Sequence, residues 1–215
     1  MRKVDIREYK NRIRTEVKTM RRELNPQKKA MLDEGVLRNV LKMREYRACN
    51  KIFVYVSTAI EVDTLEIIKS AWKDNKKVAV PRCIPETREM TFHYIESFDS
   101  LKPGTFSVLE PDESLPIADD FSNSVMLVPA MVIDSKGYRL GYGKGYYDRY
   151  ISNYTGITAG LCYVENLRNK ILHGRYDQKL DYIITEKYIK RTNSSPKDYS
   201  LLYSITFSRK FQTNF

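Results

Sequence analysis

The sequence predicts an α/β fold in which a mainly parallel sheet lies between two layers of helices. From residue 51 onward, short apolar runs of strand length alternate with segments whose apolar residues recur at helical spacing. The most apolar run, residues 124–134, shows no polar alternation, which is typical of a strand buried on both faces. With 215 residues, 42% of them hydrophobic and 30% charged, the chain is long enough for one large domain.

The N-terminal segment predicts an amphipathic helix, because apolar residues recur every three or four positions along it. These apolar positions are Ile6, Tyr9, Ile13, Val17, Met20 and Leu24. A basic stripe with the same spacing runs beside them and consists of Arg7, Lys10, Arg14, Lys18 and Arg21. Asn25-Pro26 is expected to end this helix, and residues 27–44 predict a second one.

The rest of the chain predicts strands that alternate with helices. Strands are expected at residues 51–56, 77–81, 90–95, 124–134, 157–163 and 182–185. Helices are expected at residues 64–75, with Leu65, Ile68 and Trp72 facing inward, and from about Gly145 to Asn153. The polar residues 97–123 predict an irregular connection with short structure. We assign residues 1–190 to a single domain and residues 191–215 to a C-terminal tail of unknown role.

The charge distribution argues against a broad nucleic-acid-binding surface, although the net charge is +10. Residues 1–30 carry 11 Lys/Arg against 4 Asp/Glu, and residues 190–215 carry 5 against 1. The remaining residues carry 21 against 22, so the body of the chain is neutral. A basic helix and a basic tail suit the binding of a small anion better than a groove for a phosphate backbone.

The lack of an N-terminal apolar run and the pattern of cysteines predict a cytoplasmic protein. The first 17 residues contain no apolar run, and the longest apolar stretch has only the length of a strand. We therefore expect neither a signal peptide nor a membrane span. The cysteines Cys49, Cys83 and Cys162 are odd in number and lack metal-type spacing, which predicts buried, reduced thiols.

The stretch most indicative of chemistry is GYRLGYGKGYYDRY, residues 137–150, which holds four of the nine glycines. A glycine loop that enters a helix lets backbone N–H groups approach phosphate oxygens, and the start of the helix adds partial positive charge. Arg139 and Lys144 add full charges suited to a polyphosphate. Asp148 follows Lys144 by one helical turn, where a carboxylate can hold phosphate-bound Mg²⁺.

This loop matches neither common nucleotide motif. A P-loop requires glycine six residues before the lysine and Ser or Thr directly after it, whereas Tyr138 and Gly145 occupy those positions. The spacing GxGxG also differs from the dinucleotide fingerprint. On spacing alone, a plain glycine turn remains open as the alternative, with Tyr146, Tyr147 and Tyr150 packed as core.

The longer string LVPAMVIDSKGYRLGYGKGYYDRYI, residues 127–151, resembles the signature segment of the 5-formyltetrahydrofolate cyclo-ligase family. Its fixed positions are all present, from Asp134 and Gly137 through Arg139-Leu140-Gly141 to Gly145-Tyr146-Tyr147-Asp148. Weaker landmarks extend the resemblance over about residues 6–190. Where the family usually shows Pro, Glu and His-Asp at alternate positions, the chain has Leu172, Gly174 and Tyr176-Asp177, so residues 172–176 are altered. Asn166 stands where a glutamine is usual.

The resemblance implies a set of site residues. It implies an ATP site made of Lys10, Arg14, Arg139, Gly141, Tyr142, Gly143, Lys144, Gly145, Tyr146 and Tyr147. It implies a folate site at Val56, Glu61 and Tyr147, with Glu61 hydrogen-bonding the pterin amino groups. Magnesium would be held by Asp148 and Asp181, and catalysis would fall to Lys144, Arg139 and Tyr147.

The resemblance also implies the reaction and the fold. The expected reaction converts 5-formyltetrahydrofolate to 5,10-methenyltetrahydrofolate through a phosphorylated formyl group, while ATP becomes ADP and phosphate. The expected fold is a three-layer α/β/α domain of the NagB/RpiA/CoA-transferase-like type. We expect a cytoplasmic monomer whose partners are ATP, Mg²⁺ and a small folate, with no nucleic acid and no membrane.

Two other functions stay open at this point. One is an enzyme of related architecture that uses the loop only as a phosphate cradle for a sugar or acyl donor. The other is an RNA-binding or scaffold protein that uses the two basic ends. Zinc hydrolysis and serine catalysis have no supporting motif, and we expect His93 and His173 to be structural.

Overall fold

The computed structural model describes residues 5–105 and 108–192, so the predicted tail lies almost entirely outside the described residues. Helix α1 (Ile6–Arg22) begins after Asp5, whose carboxylate accepts a hydrogen bond from the Arg7 amide at 2.7 Å. Asn25 caps α2 (Pro26–Lys42) in the same way, which confirms the predicted break between the two helices. The second helix is shorter than predicted, and a single-turn helix, α3 (Arg44–Ala48), follows it.

Twelve strands and two further helices complete the regular structure of the described residues. The strands are β1 (Lys51–Val54), β2 (Lys77–Ile84), β3 (Glu89–Ile95), β4 (Leu101–Pro103), β5 (Leu109–Pro111), β6 (Ser124–Pro129), β7 (Val132–Asp134), β8 (Arg139–Leu140), β9 (Ile157–Leu161), β10 (Leu167–Arg168), β11 (Tyr182–Ile184) and β12 (Ile189–Arg191). The helices are α4 (Leu65–Lys73) and α5 (Tyr146–Asn153).

The main sheet has seven strands in the order β12-β11-β9-β6-β1-β2-β3. Its five inner strands are parallel, and only the edge strands β3 and β12 run antiparallel to their neighbours. The prediction of a mainly parallel sheet is therefore confirmed. Within residues 97–123, β4 and β5 form a separate antiparallel pair, so that connection holds the expected short structure.

Helices cover both faces of this sheet, as the absence of polar alternation in its strands predicts. Ile52 and Val54 of β1 pack with α2, α3 and α4 on one face. Phe53 points to the opposite face and packs with Ile151 of α5. Both faces exclude water, which gives the three-layer α/β/α arrangement.

The predicted strand over residues 124–134 is wrong as a single element. The chain leaves the main sheet after Pro129, passes through Ala130 and Met131, and enters a second sheet of order β10-β7-β8. Proline lacks the N–H needed to continue a ladder, and all residues of the run stay buried in both sheets. Hydropathy alone therefore gave no sign of the break.

Two smaller predictions also change. On α4 the fully buried residues are Ile67, Ile68 and Ala71, whereas Leu65 is 36% exposed. The buried face is thus rotated by one or two positions from the predicted one. Cys49 and Cys162 are buried and free, as predicted, and Cys83 is free but only half-buried. None of the helices in the described residues is long and apolar enough to cross a membrane.

Candidate active site

The glycine loop connects β8 in the small sheet to α5 on the main sheet. Gly143 and Gly145 have φ values of 97° and 78°, a left-handed conformation that residues with a Cβ rarely adopt. Gly145 caps α5, and no side chain caps the first turn of that helix. A helix N-terminus suits an anion, and the anion-binding role that the glycine pattern predicts stays a prediction.

Helix α1 lies directly against this loop. The Arg14 Nε donates a hydrogen bond to the Gly141 carbonyl at 2.9 Å. A Cβ at Gly143 would meet the Arg14 guanidinium carbon at 2.9 Å, so glycine is required for this approach. The prediction that the basic stripe and the glycine loop form one site is thus consistent with their contact. We call α1 from Lys10 to Arg14, the glycine loop and the start of α5 the phosphate end.

Lys10 is held by a carboxylate that the sequence did not indicate. Its Nζ lies 2.5 Å from Asp177 Oδ2, and both side chains are less than one-fifth exposed. Asp177 also accepts a hydrogen bond from the Gly174 amide. Burial lowers the pKa of Arg14, and the charge of Asp177 opposes that shift. Asp177, the residue after the altered segment, therefore contacts Lys10 and acts electrostatically on Arg14, the two cations expected to bind ATP.

Arg139 and Tyr147 form the interior of the phosphate end. Arg139 is 6% exposed, and its Nη2 lies 3.3 Å from Asp148 Oδ1. Its guanidinium carbon stands 5.6 Å from the centre of the Tyr147 ring. The Arg139 Nε and the Tyr147 hydroxyl are two of three buried side-chain polar atoms without a hydrogen-bond partner in the described residues. Such atoms are rare in folded proteins and indicate where a polar ligand binds.

Tyr147 is uncharged at neutral pH. Burial raises its pKa well above the ordinary value, the charge of Glu61 raises it further, and Arg139 opposes the shift. Its neutral hydroxyl can donate one hydrogen bond, which suits a formyl or phosphoryl oxygen. Tyr146, by contrast, is buried and packs in the cluster beneath α5. Lys144 is exposed at the tip of the loop.

Glu61 marks a second part of the site, beyond the carboxyl end of β1. The residue is 7% exposed, and its Oε2 accepts hydrogen bonds from the Thr58 amide and hydroxyl, both at 2.8 Å. Val56 is 4% exposed and belongs to the core cluster on the α2 side. A buried carboxylate held by one short turn is suited to accept hydrogen bonds from a ligand. This agrees with the pterin-binding role predicted for Glu61.

Arg21, which the sequence assigned to the basic stripe of α1, is buried next to the segment that carries Glu61. The side chain is 5% exposed and donates to Ala130 O at 2.8 Å and to Asn166 Oδ1 at 3.3 Å. Asn166 and Ala130 follow the carboxyl ends of β9 and β6. We call Glu61, Arg21, Asn166 and the Ala130–Met131 segment the folate end.

Tyr142 of the glycine loop connects the two ends. Burial raises the pKa of its hydroxyl, Glu61 raises it further, and Arg21 opposes the shift. Lys18 of α1 stands 5.8 Å from the centre of its ring. A residue predicted for the nucleotide thus lies in the electrostatic field of the folate end.

The two carboxylates predicted to bind magnesium lie in different surroundings. Asp148 sits in the first turn of α5 and accepts a hydrogen bond from the Gln178 amide at 3.2 Å. Asp181 is 2% exposed, and its Oδ2 accepts from the Thr158 amide and hydroxyl at 2.9 and 2.8 Å. Its charge contributes to the raised pKa of Tyr154, which follows the far end of α5. Asp177 directly precedes Gln178, the residue whose amide donates to Asp148. The magnesium roles predicted for Asp148 and Asp181 stay predictions.

Both histidines have structural contacts. His93 Nδ1 lies 2.7 Å from Leu115 O, and its Nε2 lies 3.0 Å from Thr91 Oγ1. His173 stacks on Tyr138 with ring centres 3.6 Å apart. Within residues 5–105 and 108–192 there is no group of three or more His, Cys, Asp or Glu that could hold a metal without other ligands.

Comparison with known proteins identifies the family. Residues 6–186 match the profile of the 5-formyltetrahydrofolate cyclo-ligase family. The chain belongs to this family. The signature over residues 127–151 therefore identified the family correctly from sequence. Tyr146, Tyr147 and Tyr150 do pack with the core, as the alternative of a plain glycine turn expected.

Curated cyclo-ligases and solved structures agree with this assignment. The chain is 31% identical over 173 residues to a protein named "Probable 5-formyltetrahydrofolate cyclo-ligase" from Schizosaccharomyces pombe, covering 73% of this chain and 85% of that one. It is 30% identical over 171 residues to the Haemophilus influenzae 5-formyltetrahydrofolate cyclo-ligase, covering 74% and 89%. The Aquifex aeolicus 5,10-methenyltetrahydrofolate synthetase superposes with a TM-score of 0.76 at 27% identity, covering 87% and 94%.

Three residues of this cyclo-ligase site were missed or misplaced by sequence reasoning. Arg21 was assigned only to the basic stripe, Asp177 was noted only as the residue after an altered segment, and Asn166 was noted only as a replacement. The one available signal was the +7 spacing from Arg14 to Arg21, which places both on nearly the same face of α1. Contacts between residues more than a hundred positions apart have no such signal.

Proposed function

We propose that this chain converts 5-formyltetrahydrofolate to 5,10-methenyltetrahydrofolate and uses ATP to do so. The family match over residues 6–186 carries the proposal for the folate reaction. Support for ATP comes from the phosphate end, where Arg14 bonds to the glycine loop that leads into α5. Lys10 lies one turn before Arg14 on α1 and pairs with Asp177. Cations and backbone amides in that arrangement suit a polyphosphate.

The chemistry explains why a nucleotide is needed. The formamide oxygen is a poor leaving group, so it first attacks the γ-phosphorus of ATP and the bond to ADP breaks. N10 then attacks the activated formyl carbon, the carbon–oxygen bond breaks, and phosphate leaves with the N10 proton. The reaction needs positioning and charge neutralisation more than covalent help from the protein.

Each part of the site has a role in this proposal. Lys144, at the loop tip, and Arg139, beneath it, neutralise charge on the transferred phosphoryl group. Tyr147, whose hydroxyl is buried and unpaired, donates a hydrogen bond where phosphate and formyl group meet. Glu61 accepts hydrogen bonds from the pterin amino groups.

Magnesium fits the site as a phosphate-bound ion. It is usually held by one or two carboxylates together with substrate oxygens and water, so a larger protein cluster is not required. Asp148 and Asp177 are the carboxylates best placed for this role, and Asp181 is held by Thr158 instead. The ion would supply positive charge to the phosphates.

The free thiols support a further part of the proposal, that the enzyme works in the cytoplasm. Its oligomeric state, predicted as monomeric, stays a prediction.

The decisive experiment follows the absorbance of the methenyl product after mixing the protein with 5-formyltetrahydrofolate and Mg-ATP. We expect the band to grow only when ATP is present, and Lys144→Ala to lower kcat/KM by about 100-fold. Lys73→Ala, an exposed lysine on the opposite face of the sheet, is the matched control and should behave as wild type. A flat trace from folded wild-type protein would refute the proposed reaction.

A further inference from the structure

Arg21 has surroundings that stability alone does not explain. Its guanidinium donates to Ala130 O at 2.8 Å, to Met131 O at 3.3 Å and to Ile60 O at 3.4 Å. Two further bonds reach the Asn166 side-chain oxygen, both at 3.3 Å. The guanidinium carbon also stands 5.6 Å from the centre of the Tyr163 ring. One side chain at the end of α1 thus contacts three separate segments of the chain.

These segments share one location. Ile60 follows β1, Ala130 follows β6, and Asn166 follows β9, and these three strands are neighbours in the parallel sheet. The carboxyl ends of parallel strands lie on one edge, where α/β proteins bind their ligands. Arg21 therefore connects the three loops of the main sheet that form the folate end, and Ile60 is the residue directly before Glu61.

The charge of Arg21 strengthens the argument. All five hydrogen bonds go to neutral carbonyl or amide oxygens, so the buried cation gains no carboxylate partner from them. Burying a cation carries a large desolvation penalty. An apolar side chain of similar volume would fill the same space with a smaller penalty. Arginine, unlike other side chains, supplies a rigid planar donor that can reach three loops at once.

We propose that Arg21 is a positioning residue for folate binding. By fixing the segment before Glu61 relative to Ala130 and Asn166, it holds the Glu61 carboxylate in place for the pterin. Because Arg21 shares α1 with Lys10 and Arg14, the same helix also sets the folate end against the phosphate end. This inference rests on the proposed cyclo-ligase function.

The test compares Arg21→Lys and Arg21→Met with the same two changes at Arg22, an exposed neighbour on the same helix turn. We expect Arg21→Lys to raise the KM for 5-formyltetrahydrofolate about tenfold, since lysine keeps the charge but reaches fewer acceptors. Arg21→Met should raise it further. The KM for ATP should change less than about twofold, because Lys10 and Arg14 keep their contacts with Asp177 and the Gly141 carbonyl. The Arg22 variants should match wild type.

The outcomes separate this inference from the proposed function. Absence of turnover in wild-type protein would speak against the function itself. Wild-type turnover, with an unchanged folate KM in Arg21→Lys, would overturn the role of Arg21, whether or not the melting temperature falls. Equal increases in both KM values would also overturn it, because they would indicate a general loosening of the fold. Calorimetric titration of 5-formyltetrahydrofolate without ATP should show the same weakening of binding as the kinetics.

Discussion

The two ends of the site are built in different ways. The phosphate end takes most of its groups from one continuous stretch, Arg139 to Asp148, and adds two cations from one turn of α1. The folate end takes Arg21, Glu61, Ala130 and Asn166 from four distant parts of the chain. The residues of the phosphate end are spaced closely in sequence, as in a motif. The residues of the folate end come together only when the sheet has formed. We therefore expect substitutions at the two ends to affect different kinetic constants.

The largest effect should come from the acidic residues of the phosphate end. We predict that Asp148→Asn lowers kcat about 100-fold, because the charge that pairs with Arg139, and that holds Mg²⁺ in the proposed site, is lost. Asp177→Asn should raise the KM for Mg-ATP about tenfold. The measurement is turnover at varied Mg²⁺ concentration, where both variants should require more metal than wild type.

Asp181→Asn is the matched comparison for these variants. Its amide oxygen can still accept from Thr158, so we expect activity within about threefold of wild type and an unchanged Mg²⁺ requirement. A large rise in the Mg²⁺ requirement for Asp181→Asn alone would assign the metal to Asp181, as the family resemblance implies, and exclude Asp177.

At the folate end, Glu61→Gln should have the next largest effect. The amide keeps the size and one acceptor, but a hydrogen bond from the pterin to a charged oxygen is lost, which is worth about 1.5–3 kcal/mol. We expect the KM for 5-formyltetrahydrofolate to rise at least tenfold while the KM for ATP stays nearly constant. If only the KM for ATP rises, Glu61 belongs to the phosphate end, and the division of the site into two ends is wrong.

The glycine loop offers a smaller test of the phosphate end. Gly143→Ala forces a residue with a Cβ into a left-handed conformation and against Arg14, which costs about 1–3 kcal/mol. We expect a lower free energy of unfolding in urea and a raised KM for ATP. Gly174→Ala is the control for stability, because its Cβ would have only Asp177 Oδ2 within reach, at 3.9 Å. If Gly143→Ala unfolds at the same urea concentration as Gly174→Ala, the Arg14 contact is not tight.

The same contrast shows what could be read from sequence. The parallel sheet, the helices and the loop that enters α5 follow from hydrophobic period, capping residues and glycine spacing, which are local. The break after Pro129 was missed because both halves of the run are buried, in two different sheets. Arg21 and Asp177 were misjudged because their partners, Asn166 and Lys10, lie 145 and 167 positions away in the chain. Charge alone does not tell a solvated arginine from a buried one.

The smallest expected effect, on the pH dependence of unfolding, tests whether the folate end excludes water. Cys162 lies just beyond β9 and is fully buried, and burial raises its pKa to about 12 while Arg21 opposes the shift. Above pH 9 the native state therefore keeps the thiol proton of Cys162, whereas the unfolded chain releases it. The free energy of unfolding then falls as pH rises, by about 1.4 kcal/mol per pH unit for this thiol. Between pH 7.5 and 10 we expect urea unfolding to show a loss about 1.4 kcal/mol smaller in Cys162→Ala than in wild type. Each protein is compared with its own value at pH 7.5, so the packing lost with the sulfur cancels. Equal losses in the two proteins would mean that water reaches Cys162, and that Arg21 above it is not as enclosed as its hydrogen bonds indicate.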